Sequence, residues 1–187
     1  MQIKNPILPG FYPDPSICAA NGKYYLVTSS FEYFPCIPIF ESLDLVHWHQ
    51  IGHVIDHHNA VTLRQGDPNR TGMYAPTIRF HKGRFYVVCT NVAYGEKDDG
   101  NFIVSTDDPN GPWSEPIFID LPGIDPSLFF DADGSVYYTG THGDIYICKI
   151  DVETGNPLET SKAIWAGTGG CAPEGPHIYK VNDWYYL

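Results

Sequence analysis

The chain has 187 residues, 43% of them hydrophobic, which suffices for one packed core and excludes a disordered segment. Eleven Lys and Arg stand against 22 Asp and Glu, a formal net charge of −11. That balance argues against nucleic acid, an anionic membrane or a strongly acidic substrate as partner, and leaves a small neutral ligand such as a sugar.

Aromatic residues (13 Tyr, 10 Phe, 4 Trp) set among 18 Gly and 16 Pro point to an all-β chain of short strands and tight turns. In chain order, MQIKNPILPG has neither a basic n-region nor an apolar h-region, so no signal peptide is expected. No later run approaches membrane-spanning length. The stretch GFYPDPSIC (10–18) then sets Asp14 between Pro13 and Pro15. Proline fixes its own φ and restricts the residue before it, so both neighbours limit where Asp14 points. Taken alone, it reads as a turn aspartate before a strand.

DPSICAANGKYYL (14–26) reads as strand, tight hairpin, strand, and IFESLDLVHW (39–48) and GHVI supply a third and fourth strand. His57-His58 is an isolated pair without a third nearby ligand, better suited to a surface loop than to a metal. The same four-strand pattern returns as APTIRFHKGRFYV (75–87), FIVSTDDPNGPW (102–113) and EPIFI. It returns again as DPSLFFDADGSVYYT (125–139), IYICKIDVETGNPLE (145–159) and KAIW, and its opening hairpin recurs as GPHIYKVNDWYYL (175–187). The leading prolines, 15, 76, 126 and 176, are 61, 50 and 50 residues apart. Four short antiparallel strands per unit of about 50 residues is the pattern of a β-propeller blade. A β-sandwich is the competing architecture, and it does not require four aligned copies. About three and a quarter blades are present where a closed ring needs ~4–8, so an N-terminal part of a single propeller domain is expected over 1–187.

Five cysteines form no Cys-x-x-Cys pattern. Cys18, Cys89 and Cys148 follow β-branched residues in strand-like runs and read as small buried hydrophobes, consistent with a reducing, cytoplasmic compartment. In that compartment the Asn69-Arg70-Thr71 pattern carries no glycosylation meaning. Asp108-Pro109-Asn110-Gly111 falls between two outer strands and reads as a turn. Gly167-Thr168-Gly169-Gly170 lacks the Lys and Ser/Thr of a phosphate loop and reads as a flexible lead-in.

If the Pro-initiated strand is innermost in each blade, the residues before those prolines ring the mouth of a central channel. Asp14 and Asp125 directly precede their prolines, Glu174 stands one residue further upstream of Pro176, and the second blade has Ala75. Like charges repel, and folding alone offers no reason to gather three carboxylates. Unequal environments for such groups separate acid from base roles.

The motifs NPILPGFYPDPSI, YYLVTSSFEYFP, ESLDLVHW, YAPTIRFHKGRFYV, GPWSEPI, GIDPSLFFDADGSVYY and APEGPHIYK resemble glycoside hydrolase family 43 over nearly the whole chain. That resemblance implies a five-bladed β-propeller and an inverting β-xylosidase or α-L-arabinofuranosidase. It implies Asp14 as general base, Glu174 as general acid and Asp125 as the carboxylate that orients and tunes the acid. Phe31 matches an aromatic at the terminal-sugar subsite. Tyr74 and Ala75 stand where the xylosidase branch often has Trp-Ala, and the stretch after YYTGTHG is short. Both departures bear on which sugar is bound. The family sometimes holds calcium in the channel, but no complete ligand set is visible, so neither metal nor other cofactor is expected. The competing functions are a sugar-binding propeller without turnover and an invertase-like retaining glycosidase.

Overall fold

Each Pro-initiated repeat folds as an antiparallel hairpin that opens a sheet. The structure is a computed structural model that describes residues 4–67 and 70–187, so the asparagine of the Asn69-Arg70-Thr71 pattern lies outside the described residues. The first sheet runs in chain order: β1 (Ser16–Ala20), β2 (Lys23–Val27), β3 (Cys36–Ser42) and β4 (His49–Ile55). The second contains β5 (Gly72–Met73), β6 (Thr77–His81), β7 (Arg84–Val92), β8 (Gly100–Thr106) and β9 (Ile117–Ile119). The third orders β10 (Ile124–Phe130), β11 (Val136–His142), β12 (Asp144–Ile150) and β13 (Lys162–Trp165). β14 (Tyr179–Val181) and β15 (Trp184–Tyr186) form the opening hairpin of a fourth.

The expected repeats therefore fold as three complete blades and the start of another. The register repeats as well: Ile17 pairs with Leu26, Ile78 with Val87 and Leu128 with Tyr138. Asn21 and Gly22, like Lys82 and Gly83, both have positive φ, the two-residue turn whose twist matches paired strands. One element was not anticipated. β5 adds a second short strand to the inner edge of β7, separated from β6 by Tyr74-Ala75-Pro76.

Strand alternation divides the core between neighbouring blades. Phe85, Val87 and Cys89 of β7 pack with Tyr25, Val27 and Ile39 of the first blade. Tyr86 and Val88, on the opposite face, pack with Leu128, Tyr138 and Cys148 of the third. Edge-to-face contact of Tyr25 with Phe85, ring centroids 4.9 Å apart, ties the first pair of blades, and Tyr86 meets Phe130 at 5.0 Å in the second. In the last repeat the aromatics are exposed, Trp184 at 71%, because its sheet has only two strands and nothing packs on their outer side among the described residues.

Cys89 and Cys148 are buried as expected, but Cys18 is only partly so. It lies on the innermost strand, which among the described residues pairs with no strand on its channel side. The innermost strands come together there: the Ile78 N–H donates to the Ser16 hydroxyl at 3.1 Å, and Arg79 Nε donates to the Leu128 carbonyl at 3.0 Å.

Candidate active site

The segments entering the innermost strands share an unusual backbone. Asp14 has φ 54°, Asp125 has φ 55° and Gly175 has φ 65°, and each directly precedes a proline. Left-handed backbone is uncommon for residues with a Cβ, and a following proline favours extended geometry instead. In the fourth repeat a glycine takes the left-handed position, and the acid stands one residue earlier as Glu174. That substitution accounts for its offset.

Asp14 is exposed but held. The buried Ser29 hydroxyl donates to Asp14 Oδ2 at 2.6 Å, and the Ser29 N–H donates to the Pro13 carbonyl at 3.0 Å. Ser29 follows β2, so the second strand of the blade fixes the loop that precedes the first. Asp125 sits in a bulge: the pairing steps from Ile124–Thr141 to Ser127–Thr139, three residues advancing against two. Bulges re-aim side chains in this way. Just before it, Gly123 passes so close to the partner strand that a Cβ there would lie 1.9 Å from the Thr141 carbonyl oxygen.

Burial raises the Asp125 carboxyl from its ordinary 3.8 to about 6, helped by the charge of Glu174 and then that of Asp14, while the nearby Gly175 N–H opposes the shift. The acids from blades one, three and four thus meet in one electrostatic neighbourhood, with Asp125 partly buried and the other two exposed. Tyr74 borders it: burial, then the charges of Tyr94 and Asp125, push its phenol above the usual range.

Phe31 has φ 48° and is clamped to β5, its N–H donating to the Met73 carbonyl at 2.9 Å and its carbonyl accepting from Met73 N at 3.0 Å. Its ring meets Tyr74 edge-on at 5.4 Å and Phe11 at 6.0 Å. The Tyr74 hydroxyl donates to the Arg70 carbonyl at 2.9 Å. Ala75 occupies the gap between β5 and β6, a methyl where the neighbouring blades present acids. A cleft of about 390 Å³, lined by Phe11, Tyr12, Ser29, Tyr33 and His53 among others, opens on the Ser29 side of Asp14.

Three polar residues beside this site were not singled out from sequence: Ser29, Arg79 and His177. Ser29 sits in a run of small hydroxyl residues that resembles any strand end. Arg79 carried a signal, since Thr77, Arg79 and His81 alternate with apolar Ile78 and Phe80, which makes one face of an innermost strand polar.

The remaining motifs lie elsewhere. His57 and His58 occupy an exposed turn. Asp108 closes a turn between β8 and β9, its carboxylate accepting from Asn110 N at 2.9 Å and its carbonyl from Gly111 N at 2.9 Å. Residues 167–170 form the irregular approach to Glu174.

Comparison with known proteins places this arrangement in context. The model of glycosyl hydrolases family 43 matches residues 3–187. A xylosidase/arabinosidase of Butyrivibrio fibrisolvens is 49% identical over 98% of the chain and 37% of its own length. A non-reducing end alpha-L-arabinofuranosidase of Bacteroides ovatus is 43% identical over 98% of the chain and 35% of its own length. Among solved structures, a xyloglucan-locus protein of Bacteroides ovatus superposes with a TM-score of 0.91 at 42% identity, covering 98% of the chain and 36% of the other protein. A xylan beta-1,4-xylosidase of Bacillus halodurans gives 0.89 at 36% identity, covering 98% and 38%. The chain has the fold of the N-terminal part of a five-bladed β-propeller, and it spans a little over a third of the relatives it matches.

Proposed function

Because this chain belongs to glycosyl hydrolases family 43, we propose that its three gathered carboxylates serve an inverting, exo-acting glycoside hydrolase. The favoured substrate is the β-xylosyl end of a small neutral oligosaccharide, with an α-L-arabinofuranosyl end second. The observation that carries the reading is the convergence of Asp14, Asp125 and Glu174, in which Glu174 and Asp14 both raise the proton affinity of a partly buried Asp125.

In this mechanism Asp14 is the base. Ser29 holds its Oδ2, and Oδ1 has no protein partner among the described residues, so that oxygen takes the proton of a water attacking the anomeric carbon. Glu174 donates to the departing oxygen. Asp125 stands beside it, its own carboxyl raised by burial and then by the Glu174 charge. Inverting enzymes hold acid and base ~6.5–9.5 Å apart to admit water, against ~5–5.5 Å in retaining ones. Origins on blades one and four favour the wider spacing for Asp14 and Glu174. Phe31 and Tyr74 offer ring faces and edges to the sugar, and Ala75 leaves room beside them. The reaction needs no cofactor, and the five unpaired cysteines suit a reducing cytoplasm. An invertase-like reading would need a nucleophilic Asp108, which lies in an outer turn.

The test is turnover of a panel of aryl β-xylosides and α-L-arabinofuranosides by the protein expressed from its complete gene. Hydrolysis of either that disappears in Asp14→Asn and Glu174→Gln supports the proposal. Sugar binding without turnover of any pentoside would replace it with a lectin-like role.

A further inference from the structure

Blade two lacks an acid at the channel mouth, yet its innermost strand supplies the group that joins β10, which carries Asp125, to the segment between Glu174 and β14. Arg79, partly buried, uses its whole fork. Nε donates to the Leu128 carbonyl at 3.0 Å, Nη1 to the Ile78 carbonyl at 2.9 Å, and Nη2 to both Ser127 Oγ at 3.1 Å and His177 Nδ1 at 3.0 Å. Ser127 stands two residues after Asp125, and His177 three residues after Glu174. The Tyr179 ring lies against the guanidinium, 5.6 Å from centroid to Cζ.

We infer that Arg79 is the positioning residue that sets the placement of Asp125 relative to Glu174. This rests on the acid role proposed for Glu174. All four acceptors of Arg79 are uncharged, so the cation is withdrawn from water without a carboxylate in direct contact. Plain strand pairing does not call for such a group. A planar fork that holds both β10 and the segment after Glu174 fixes their separation, which a lysine cannot do.

His177 is built to receive this contact. Burial, then the Arg79 charge, lower its imidazole to about 4, so it is neutral at ordinary pH. Its Nδ1 accepts from Arg79, and Nε2 therefore carries the hydrogen that faces Thr77 Oγ1 at 3.4 Å. The Tyr179 hydroxyl lies 3.3 Å from the same Nδ1. The Thr139 hydroxyl donates to the Pro176 carbonyl at 3.2 Å, so the Glu174–His177 segment is tied to blade three as well as to blade two. Asp125 itself faces Glu174 and Asp14, the Gly175 N–H, Tyr74 and Cys89 from blade two and Tyr138 from β11.

The test uses leaving groups, because a dinitrophenolate departs without a proton and a phenolate requires one. In the protein expressed from its complete gene, Arg79→Met should lower kcat on the phenyl glycoside by roughly tenfold or more and on the dinitrophenyl glycoside by less than about threefold, with KM little changed. His177→Leu should follow it, Glu174→Gln should show the same pattern more strongly, and His177→Gln, which keeps an acceptor, should stay near wild type. Equal losses on both substrates would overturn the assignment. A carboxyl-carbon NMR titration of Asp125 decides the matter without substrate, and so independently of whether any pentoside is turned over. The Asp125 midpoint should fall below about 6 in Arg79→Met by the share that the Glu174 charge supplies, burial keeping it above 3.8, and should hold in His177→Gln. An unchanged midpoint in folded Arg79→Met would contradict the inference.

Discussion

Asp14 and Asp125 hold backbone angles that a residue with a side chain seldom adopts, and both do so immediately before a proline. Strain of this kind persists only where the surroundings over-determine it, and it collects at functional positions. For Asp14 the determinant is Ser29. Removing its hydroxyl in Ser29→Ala should lower kcat by roughly tenfold to a hundredfold while leaving KM within a small factor, since the base is mis-aimed rather than lost. Steady-state kinetics on an aryl pentoside checks this. Asp125 yields a prediction about pH. Its folded-state value, about 6, lies above the ordinary 3.8, so the fold favours its protonated form. The associated stability is fully present below 3.8 and is lost as pH rises through 6. Asp125→Asn removes that loss, so its melting temperature relative to wild type should be higher at pH 7 than at pH 4, even as activity falls. The three acids were legible in the sequence because a proline follows each one, directly after Asp14 and Asp125 and one residue later after Glu174. Ser29 and His177 were not, because neither hydroxyl nor imidazole acts through local pattern. Each acts through a partner 15 or 98 residues away.

At the scale of elements, the period-two alternation and the paired turn residues made every hairpin readable, since these signals are local. β5 escaped notice because Gly72-Met73 is too short for alternation to register. It exists only through pairing with β7 and bridging to Phe31. Gly72 is the hinge of that contact. It has φ 86°, nearly that of Gly83 at 87°, but the surroundings differ. A Cβ at Gly72 would lie 2.1 Å from the Phe31 carbonyl oxygen, whereas one at Gly83 would meet nothing within 4 Å. Gly83→Ala should therefore cost about 1–2 kcal/mol, the conformational penalty alone. Gly72→Ala should cost clearly more and also weaken sugar binding by displacing Phe31. Urea denaturation of the two variants, with KM measured alongside, separates the effects.

For the molecule as a whole, each blade borrows half its core from the next, as Phe85 and Tyr86 show by facing opposite neighbours. Among the described residues the fourth hairpin has no such neighbour beyond it, and Tyr179, Val181, Trp184, Tyr185 and Tyr186 are all exposed. Apolar sheet surface of this kind, with open strand edges, associates. A polypeptide of residues 1–187 made alone should run as oligomers in size-exclusion chromatography with light scattering, and be inactive. The same sharing is why the active site could not be read from any one repeat: Asp14, Asp125 and Glu174 come from three blades, and only ring packing sets their spacing. The proposed inverting reaction requires Asp14 and Glu174 to stand far enough apart to admit a water, and proton NMR of the sugar released in the first minutes of hydrolysis by the protein from the complete gene tests it most directly. The first product should have the anomeric configuration opposite to the substrate, before mutarotation. Release of the retained anomer would contradict Asp14 as base and Glu174 as acid, and would require a covalent intermediate instead.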